Sequence, residues 1–254
     1  MGPEADPRRP EDFEARWRSR FEEFAEARDD DAGIAGWSVA GLDARVRQFR
    51  ALWRPPPRGQ QWLDAGCGAG TYSRLLQAHG LAVVGTDYSL PTLRHALRRT
   101  VEGIVYVVAD VRRLPFRPAS FDGALCLGVT QALAQSDEAV AALAGVVKPG
   151  GEVWIDALNR WCVHNAADLA RRRLTHRRIH LRYEAPGTLL RLMRDAGFRD
   201  VRLHWLPLLP SRLKAFQGLL EGPLARTVLR FVPFAGRLLS HSFVVCGTRR
   251  GTEP

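Results

Sequence analysis

The stretch Leu63-Asp64-Ala65-Gly66-Cys67-Gly68-Ala69-Gly70-Thr71 carries most of the information about how this chain folds. The apolar residues at its start predict a buried strand over residues 61–65, and the pattern after it predicts a helix over residues 70–78. Three glycines at alternate positions let the backbone turn sharply and approach a ligand closely, because no Cβ stands in the way. The first turn of the helix would offer free N–H groups to an anionic ligand. A strand, a ligand-binding loop and a helix are therefore predicted.

Further strands and helices alternate beyond this unit. Apolar and β-branched runs predict strands at residues 81–86, 104–109, 121–127, 151–158, 201–206 and 243–246. Amphipathic patterns between them predict helices at residues 90–100, 136–147 and 186–196. Such alternation is typical of a doubly wound sheet with right-handed crossovers and helices on both faces. The sequence thus predicts an α/β fold with a mostly parallel, seven-stranded sheet.

The N-terminal part of the chain has a different pattern. Three consecutive prolines at residues 55–57 form a stiff break, and residues 11–53 before them are predicted to be helical. One helical face carries aromatic residues every three or four positions, which suits packing on the core or over a ligand: Phe13, Trp17, Phe21 and Phe24. We therefore predict a helical N-terminal cap, residues 1–54, and a main domain, residues 55–254.

A second unusual segment separates the last two predicted strands. Residues 207–240 are apolar and contain several arginines, and Pro210, Pro223 and Pro233 cut them into pieces too short to span a bilayer. Part of the segment would form one apolar helical face: Leu213, Phe216, Leu219 and Leu220. The segment suits a substrate lid, an element lying at a membrane surface, or a contact between subunits. An extra helical layer on the core is the plainest alternative.

Composition and charge exclude several classes of protein. With 46% hydrophobic and 25% charged residues, the chain can bury a sizeable core and is not a disordered chain. No apolar run suits a transmembrane helix, and the polar N-terminus does not resemble a secretory signal. The net charge is +10, and residues 160–254 hold 18 basic and 6 acidic residues. This excess suits phosphates, nucleic acid or an anionic membrane, or it is simply an arginine-rich solvated surface.

The four cysteines indicate the compartment. Cys67, Cys126, Cys162 and Cys246 are spaced too widely for a CxxC metal or redox pair. Three of them lie in apolar or glycine-rich contexts that are typical of strands. We therefore expect buried free thiols, which suits a protein of the reducing cytoplasm.

Two carboxylates follow predicted strands at the same edge of the sheet as the glycine-rich loop. Asp87 lies 21 residues after Gly66, at a strand end where a carboxylate can accept hydrogen bonds from two ribose hydroxyls. Asp110 follows the next strand, and ligands of open parallel sheets bind at this edge. The glycine spacing is GxGxG, not the GxGxxG of dinucleotide binders, and the GxxxxGK[ST] phosphate loop is missing. The pattern therefore disfavours a nicotinamide dinucleotide and a nucleoside triphosphate.

Four blocks of sequence resemble, in order, the class I S-adenosylmethionine-dependent methyltransferases. They are LDAGCGAGTYS at residues 63–73, VVGTDYS at 83–89, VVADVRRLPFRPASFDGALCLGV at 107–129 and VKPGGEVWI at 147–155. The resemblance covers residues 61–158 and is nearest to the group that includes small-molecule, quinone-ring and lipid-linked sugar methyltransferases. It implies a Rossmann-like methyltransferase fold and S-adenosylmethionine as the cofactor.

The resemblance also implies a cofactor site. Its residues would be Asp64, Gly66, Cys67, Gly68, Gly70, Asp87, Tyr88, Asp110, Val111 and Leu127. The backbone of the glycine loop would pass beneath the methionine part of the cofactor, and Asp64 would contact its ammonium group or order the loop. Asp87 would hold the ribose hydroxyls, Tyr88 would lie beside the adenine, and Asp110 would accept from the adenine amino group. Leu127 and Gly128 would line the methionine end.

The sequence assigns neither a general base nor a metal site. A sulfonium methyl group is already activated, so the enzyme mainly aligns the acceptor, and an oxygen acceptor must also lose a proton. His164, in the loop predicted after the fifth strand, is the best-placed histidine, with a surface or core role as the alternative. His176 and His180 have helical metal spacing but no carboxylate partner. Asp156 and Asn159 alone do not form a metal site, so no metal is expected.

The sequence therefore predicts a methyltransferase that acts on a small or amphiphilic, lipid-like acceptor, at oxygen. It would be cytoplasmic, with peripheral membrane contact through residues 207–240 as an option. One alternative is an RNA methyltransferase whose arginines at positions 171–173, 177, 178 and 182 follow a phosphate backbone, although no basic–aromatic alternation supports it. A second alternative is a non-catalytic subunit that binds the cofactor for a partner.

Overall fold

A computed structural model describes residues 10–100, 102–175, 181–207, 217–218, 222, 227 and 232–251, and seven strands within these ranges form one sheet. In chain order the strands are β1 (Gln61–Ala65), β2 (Ala82–Asp87), β3 (Ile104–Val108), β4 (Phe121–Cys126), β5 (Val147–Leu158), β6 (Phe198–Leu206) and β7 (Ser242–Arg249). The spatial order is β3-β2-β1-β4-β5-β7-β6, and β7 runs antiparallel to both of its neighbours. This confirms the predicted mostly parallel sheet.

Helices precede the sheet and alternate with its strands. The first three are α1 (Pro10–Ala27), α2 (Asp31–Ile34) and α3 (Val39–Leu52). The others are α4 (Thr71–Ala78), α5 (Leu90–Arg99), α6 (Asp137–Val146), α7 (Val163–Leu174), α8 (Pro186–Asp195) and α9 (Pro233–Leu239). Serines begin two of them, because Ser38 accepts from the N–H of Gly41 at the start of α3 and Ser89 accepts from that of Thr92 at the start of α5.

Two apolar clusters lie on opposite faces of the sheet, since successive side chains of each strand alternate between them. One contains the buried residues of α6 and α8. The other is aromatic and contains Phe49 of α3 and Trp53, which follows it. The ring centroids of Trp53 and Trp62 are 5.7 Å apart, and those of Phe49 and Trp154 are 5.5 Å apart. The third N-terminal helix is therefore part of the core.

The predicted start of β5 was wrong. The strand begins at Val147, four residues before the predicted start. Its pairing with β4 shifts between Phe121–Val147 and Gly123–Glu152, so residues 148–151 form an irregular stretch inside the strand. The Pro-Gly-Gly sequence there resembles a turn, and this is why the prediction starts the strand after it.

The loop predicted after β5 is also corrected, because α7 begins inside it, at Val163. His164 is the second residue of this helix and does not lie in a loop. No side chain caps α7 at Cys162. The usual signal for the start of a helix is therefore missing from the sequence.

Much of the segment 207–240 lies outside the described residues. This includes the predicted apolar face formed by Leu213, Phe216, Leu219 and Leu220. The described part has helical residues at positions 217, 218 and 227, followed by α9. A helical segment before the last strand is therefore confirmed.

Two further expectations concern the whole chain. All four cysteines are buried and unpaired, as predicted. Within the described ranges, none of the helices is both long and apolar enough to cross a membrane.

Candidate active site

A cavity of about 760 Å³ opens at the edge of the sheet where β1, β2, β4 and β5 end. This volume lies within the range of about 300–1,000 Å³ that is typical of small-molecule sites. Its floor contains eight of the predicted site residues, namely Gly66, Cys67, Gly68, Asp87, Tyr88, Asp110, Val111 and Leu127. The other side is formed by the N-terminal helices and includes Trp17, Arg18, Phe21, Ile34, Trp37, Leu42 and Arg45.

The glycine-rich loop turns back over the end of β2. The backbone N–H groups of Gly66 and Cys67 both donate to the carbonyl of Thr86, at 2.7 and 2.8 Å. Gly66 has a φ of +76°, and a Cβ there would lie 2.2 Å from Cγ2 of Val129. A Cβ on Gly68 would instead meet open space. The loop is therefore packed tightly on one side and open toward the cavity on the other.

Asp64 lies beneath the loop and not in the cavity wall. Its buried carboxylate accepts a hydrogen bond of 2.6 Å from the hydroxyl of Ser73 in α4. Burial raises the pKa of Asp64 to about 6, against the effect of this hydrogen bond. Gly70 also lies outside the cavity wall and precedes α4 with a φ of +82°. Of the two roles offered for Asp64, the geometry favours ordering of the loop.

Asp87 ends β2 and faces the cavity. One of its carboxylate oxygens accepts from the N–H of Gly68 at 3.1 Å, and the other accepts from the N–H of Ser89 at 2.9 Å. Burial raises the pKa of Asp87 to about 6, although these backbone hydrogen bonds favour the charged form. The carboxylate is thus fixed in place beside the loop, with lone pairs left for a ligand.

Tyr88 contacts side chains of α1, whereas Asp110 is paired with an arginine of its own loop. The guanidinium of Arg18 lies 4.9 Å from the centroid of the Tyr88 ring, and Phe21 packs edge-on against the same ring. Asp110 accepts several hydrogen bonds from Arg112, including one of 2.7 Å from Nη2. Burial would raise the pKa of Asp110, but the hydrogen bonds and charge of Arg112 outweigh it and lower the pKa. A ligand amino group would therefore share this carboxylate with Arg112.

The cavity wall contains an arginine that the sequence did not reveal. Arg45 of α3 is 4% exposed, and its Nη1 donates a hydrogen bond of 2.9 Å to Asp156 near the end of β5. Asp156 also accepts from the N–H of Gly128 at 2.6 Å. The Arg45 guanidinium lies 3.9 Å from the centroid of the Trp37 ring, and its buried Nε and Nη2 groups have no hydrogen-bond partner among the described residues. Although burial lowers the pKa of Arg45, an arginine stays charged, so a buried positive charge paired with Asp156 lies in the cavity wall.

Glu14 connects α1 to two loops on the other side of the cavity. One of its carboxylate oxygens accepts from the guanidinium of Arg112, and the other accepts from the backbone N–H of Ala134 at 3.0 Å. Arg112 follows β3, whereas Ala134 follows β4. These partners lie 98 and 120 positions from Glu14 in the sequence. A local sequence pattern could not have revealed this contact, nor the contact between Arg45 and Asp156.

The predicted histidines do not complete the site. His164 is exposed and does not line the cavity. Its ring centroid lies 6.3 Å from that of His241, whose pKa is lowered to about 3 by burial. His176 and His180 lie outside the described residues. In the described part of the chain, no three His, Cys, Asp or Glu side chains are grouped as metal ligands.

Known proteins share this sequence pattern. A family model described as "Methyltransferase domain" matches residues 63–155. The ubiquinone biosynthesis O-methyltransferase of Idiomarina loihiensis is 31% identical over 172 residues, which cover 62% of this chain and 68% of that protein. The malonyl-[acyl-carrier protein] O-methyltransferase of Pseudescherichia vulneris is 41% identical over 91 residues, which cover 36% of each protein.

A solved structure shares the fold. It is an S-adenosylmethionine-dependent methyltransferase of Thermotoga maritima, described as a possible histamine N-methyltransferase. It superposes with a TM-score of 0.65 at 18% identity, over 92% of this chain and 99% of that one. The region matched by the family model contains the glycine-rich loop, Asp87 and Asp110, which meet in the cavity. The chain therefore belongs to the class I S-adenosylmethionine-dependent methyltransferases, enzymes of Rossmann-like fold, and S-adenosylmethionine is its cofactor.

Proposed function

We propose that the protein transfers the methyl group of S-adenosylmethionine to an oxygen atom of a small, amphiphilic acceptor. The observation that carries this proposal is the composition of the cavity. Polar residues from the strand ends face an apolar and aromatic wall from the N-terminal helices, formed by Trp17, Phe21, Ile34, Trp37 and Leu42. Such a wall suits a ring or an alkyl chain. Both relatives compared above are O-methyltransferases by name, which supports oxygen as the accepting atom.

The cavity wall also fits the groups of the cofactor. The carboxylate of Asp87 would accept hydrogen bonds from the ribose hydroxyls. The open space at Gly68 leaves room for the methionine part, and the positive charge of Arg45 in the cavity wall would attract its carboxylate. Tyr88 and Val111 would contact the adenine, with Asp110 shared between its amino group and Arg112. These roles rest on the positions of the residues around one cavity.

The main task of the protein in this reaction is to align the acceptor oxygen with the methyl group of the cofactor. When bound, S-adenosylmethionine supplies a methyl group that is already activated by its positively charged sulfur. The chain must hold the acceptor oxygen in line and keep water out, and the closing helices α1–α3 serve both needs. Histidines are missing from the described cavity wall, and Asp156 is already hydrogen-bonded to Arg45. We therefore propose an acidic acceptor oxygen, from a phenol or a carboxylic acid, which needs little help from a base.

We further propose that the enzyme works in the cytoplasm at a membrane surface. Its buried, unpaired cysteines support a reducing compartment. An amphiphilic acceptor and the basic C-terminal third of the chain support contact with an anionic membrane, with residues 207–240 as the candidate segment.

Methyl transfer from S-adenosylmethionine with an isotope-labelled methyl group tests the proposed function. We expect labelled ether or ester products from alkylated phenols or fatty carboxylic acids and no label in bulk tRNA. Asp87→Ala should abolish most turnover, whereas Asp195→Asn, which changes an exposed acid of α8, should not. Label in tRNA alone would reject the proposal in favour of an RNA methyltransferase. Cofactor binding without any turnover would favour the non-catalytic subunit.

A further inference from the structure

Apolar side chains are concentrated on one part of the surface. Half of the twelve large apolar side chains that are exposed in the described ranges lie after β5, at the start of α7, or around α9. They are Trp161, Val163, Val232, Phe234, Leu238 and Leu239, and we call them the α7–α9 surface. Their exposed fractions range from 44% for Trp161 to 66% for Phe234. Clusters of this kind mark sites of interaction more often than scattered single residues do.

Hydrogen bonds hold the segments of the α7–α9 surface together. The buried side chain of Asn159 donates from Nδ2 to the carbonyls of Arg237 at 2.7 Å and Ser240 at 2.8 Å. A Cβ on Gly236 would lie 2.2 Å from Trp205, so this side of α9 packs against β6. Phe234 lies two positions before Gly236, which places it on the opposite side of the helix. Its side chain therefore points away from the sheet.

Arginines lie beside the exposed aromatic ring. The guanidinium of Arg237 is 4.6 Å from the centroid of the Trp161 ring, and that of Arg160 is 5.9 Å from it. Both arginines are exposed. Tryptophan, leucine and arginine in one patch suit the boundary between membrane and water, where the indole lies at the headgroups and the guanidinium contacts phosphates. The excess of 18 basic over 6 acidic residues in positions 160–254 would attract an anionic surface.

We propose that the α7–α9 surface binds an anionic lipid bilayer. Phe234 and Leu238 would enter the headgroup layer, while Arg160 and Arg237 would contact lipid phosphates. β5 ends and β7 begins at this edge of the sheet, and Asp156 of the cavity wall lies five residues before Trp161. The surface therefore lies at the same edge as the cavity. Delivery of a membrane-dissolved acceptor to the cavity rests on the proposed methyl transfer, whereas lipid binding does not.

Co-sedimentation of the full chain with lipid vesicles tests the proposal. We expect binding to phosphatidylcholine vesicles that contain about 30% phosphatidylglycerol to be about tenfold tighter than to pure phosphatidylcholine, and to weaken in about 0.5 M NaCl. The double variants Phe234→Ser/Leu238→Ser and Arg160→Glu/Arg237→Glu should each weaken binding about tenfold or more. Leu97→Ser is the matched control, since Leu97 of α5 is 63% exposed but lies elsewhere.

Titration of each variant with S-adenosylhomocysteine separates a lipid defect from a folding defect. Variants that bind S-adenosylhomocysteine normally but not the vesicles support the proposal. No binding of wild-type protein to anionic vesicles, or equal binding of all variants, would overturn it. Loss of tRNA binding in the arginine variant, with vesicle binding unchanged, would also overturn it. Vesicle binding by a protein that methylates no acceptor would reject the proposed function and leave the lipid surface standing.

Discussion

At the scale of single residues, Asp87 links pH to cofactor binding. Its pKa is raised to about 6 by burial, and only the ionised carboxylate can accept hydrogen bonds from both ribose hydroxyls. We therefore expect the affinity for S-adenosylhomocysteine to be complete above about pH 7 and to fall as the pH is lowered through about 6. Isothermal titration measures this. Asp87→Asn should bind about tenfold more weakly without the same pH dependence, which separates Asp87 from Asp64, whose pKa is also about 6. An identical pH profile in the variant would contradict the assignment.

Gly66 lies at a position of the loop that has no room for a side chain. Gly66 and Gly150 both have positive φ, of +76° and +81°, but a Cβ at Gly66 would lie 2.2 Å from Val129, whereas one at Gly150 would meet nothing within 4 Å. Both alanine variants should lose about 1 kcal/mol to backbone strain. Gly66→Ala should lose about 2 kcal/mol more because of the clash. Urea unfolding of both variants tests this, and equal losses would show that Val129 moves aside.

At the scale of elements, Glu14 holds α1 over the cavity. Removing its carboxylate in Glu14→Ala leaves Arg112 and the N–H of Ala134 without this partner. Partly buried hydrogen bonds to charged groups contribute about 1–3 kcal/mol, so we expect S-adenosylhomocysteine to dissociate about tenfold faster. Glu26→Ala, at an exposed site on the same helix, is the control. Stopped-flow dissociation rates that are equal in the two variants would show that α1 does not retain the ligand.

The elements also show what the sequence can and cannot predict. β1 matches its prediction residue for residue, β2 is shifted by one residue, and β3 and β4 each end one residue earlier than predicted, because each is a short apolar run with clear boundaries. α7 was not predicted because Cys162, the residue before it, makes no capping hydrogen bond and is not a residue type that signals the start of a helix. Asp87 and Asp110 could be predicted from the sequence because each one directly follows the apolar run that marks a strand. The pair of Arg45 and Asp156 spans 111 positions and exists only in the folded chain.

At the scale of the whole molecule, the N-terminal helices fall into two groups. α1 and α2 lie over the cavity and are held to the later part of the chain partly by ion pairs, such as that between Asp31 and Arg74 of α4. α3 instead contributes Phe49 to the core and is followed by Trp53, which are 2% and 3% exposed. The division at residue 54 is a prediction from the proline break, and this packing provides a sharp test of it.

Two truncations should therefore behave differently. A chain that begins at Trp37 keeps α3, so we expect cooperative thermal unfolding. It should bind S-adenosylhomocysteine weakly, because α1 and α2 no longer cover the cavity. A chain that begins at Pro55 lacks both buried aromatic residues, which contribute about 3–5 kcal/mol each, and leaves Asp156 buried without its cation. This loss is comparable to the total stability of about 5–15 kcal/mol of a typical domain, so we expect no cooperative transition in circular dichroism. A cooperatively folding fragment 55–254 would show instead that α3 only covers the sheet and that the proline break is a true domain boundary.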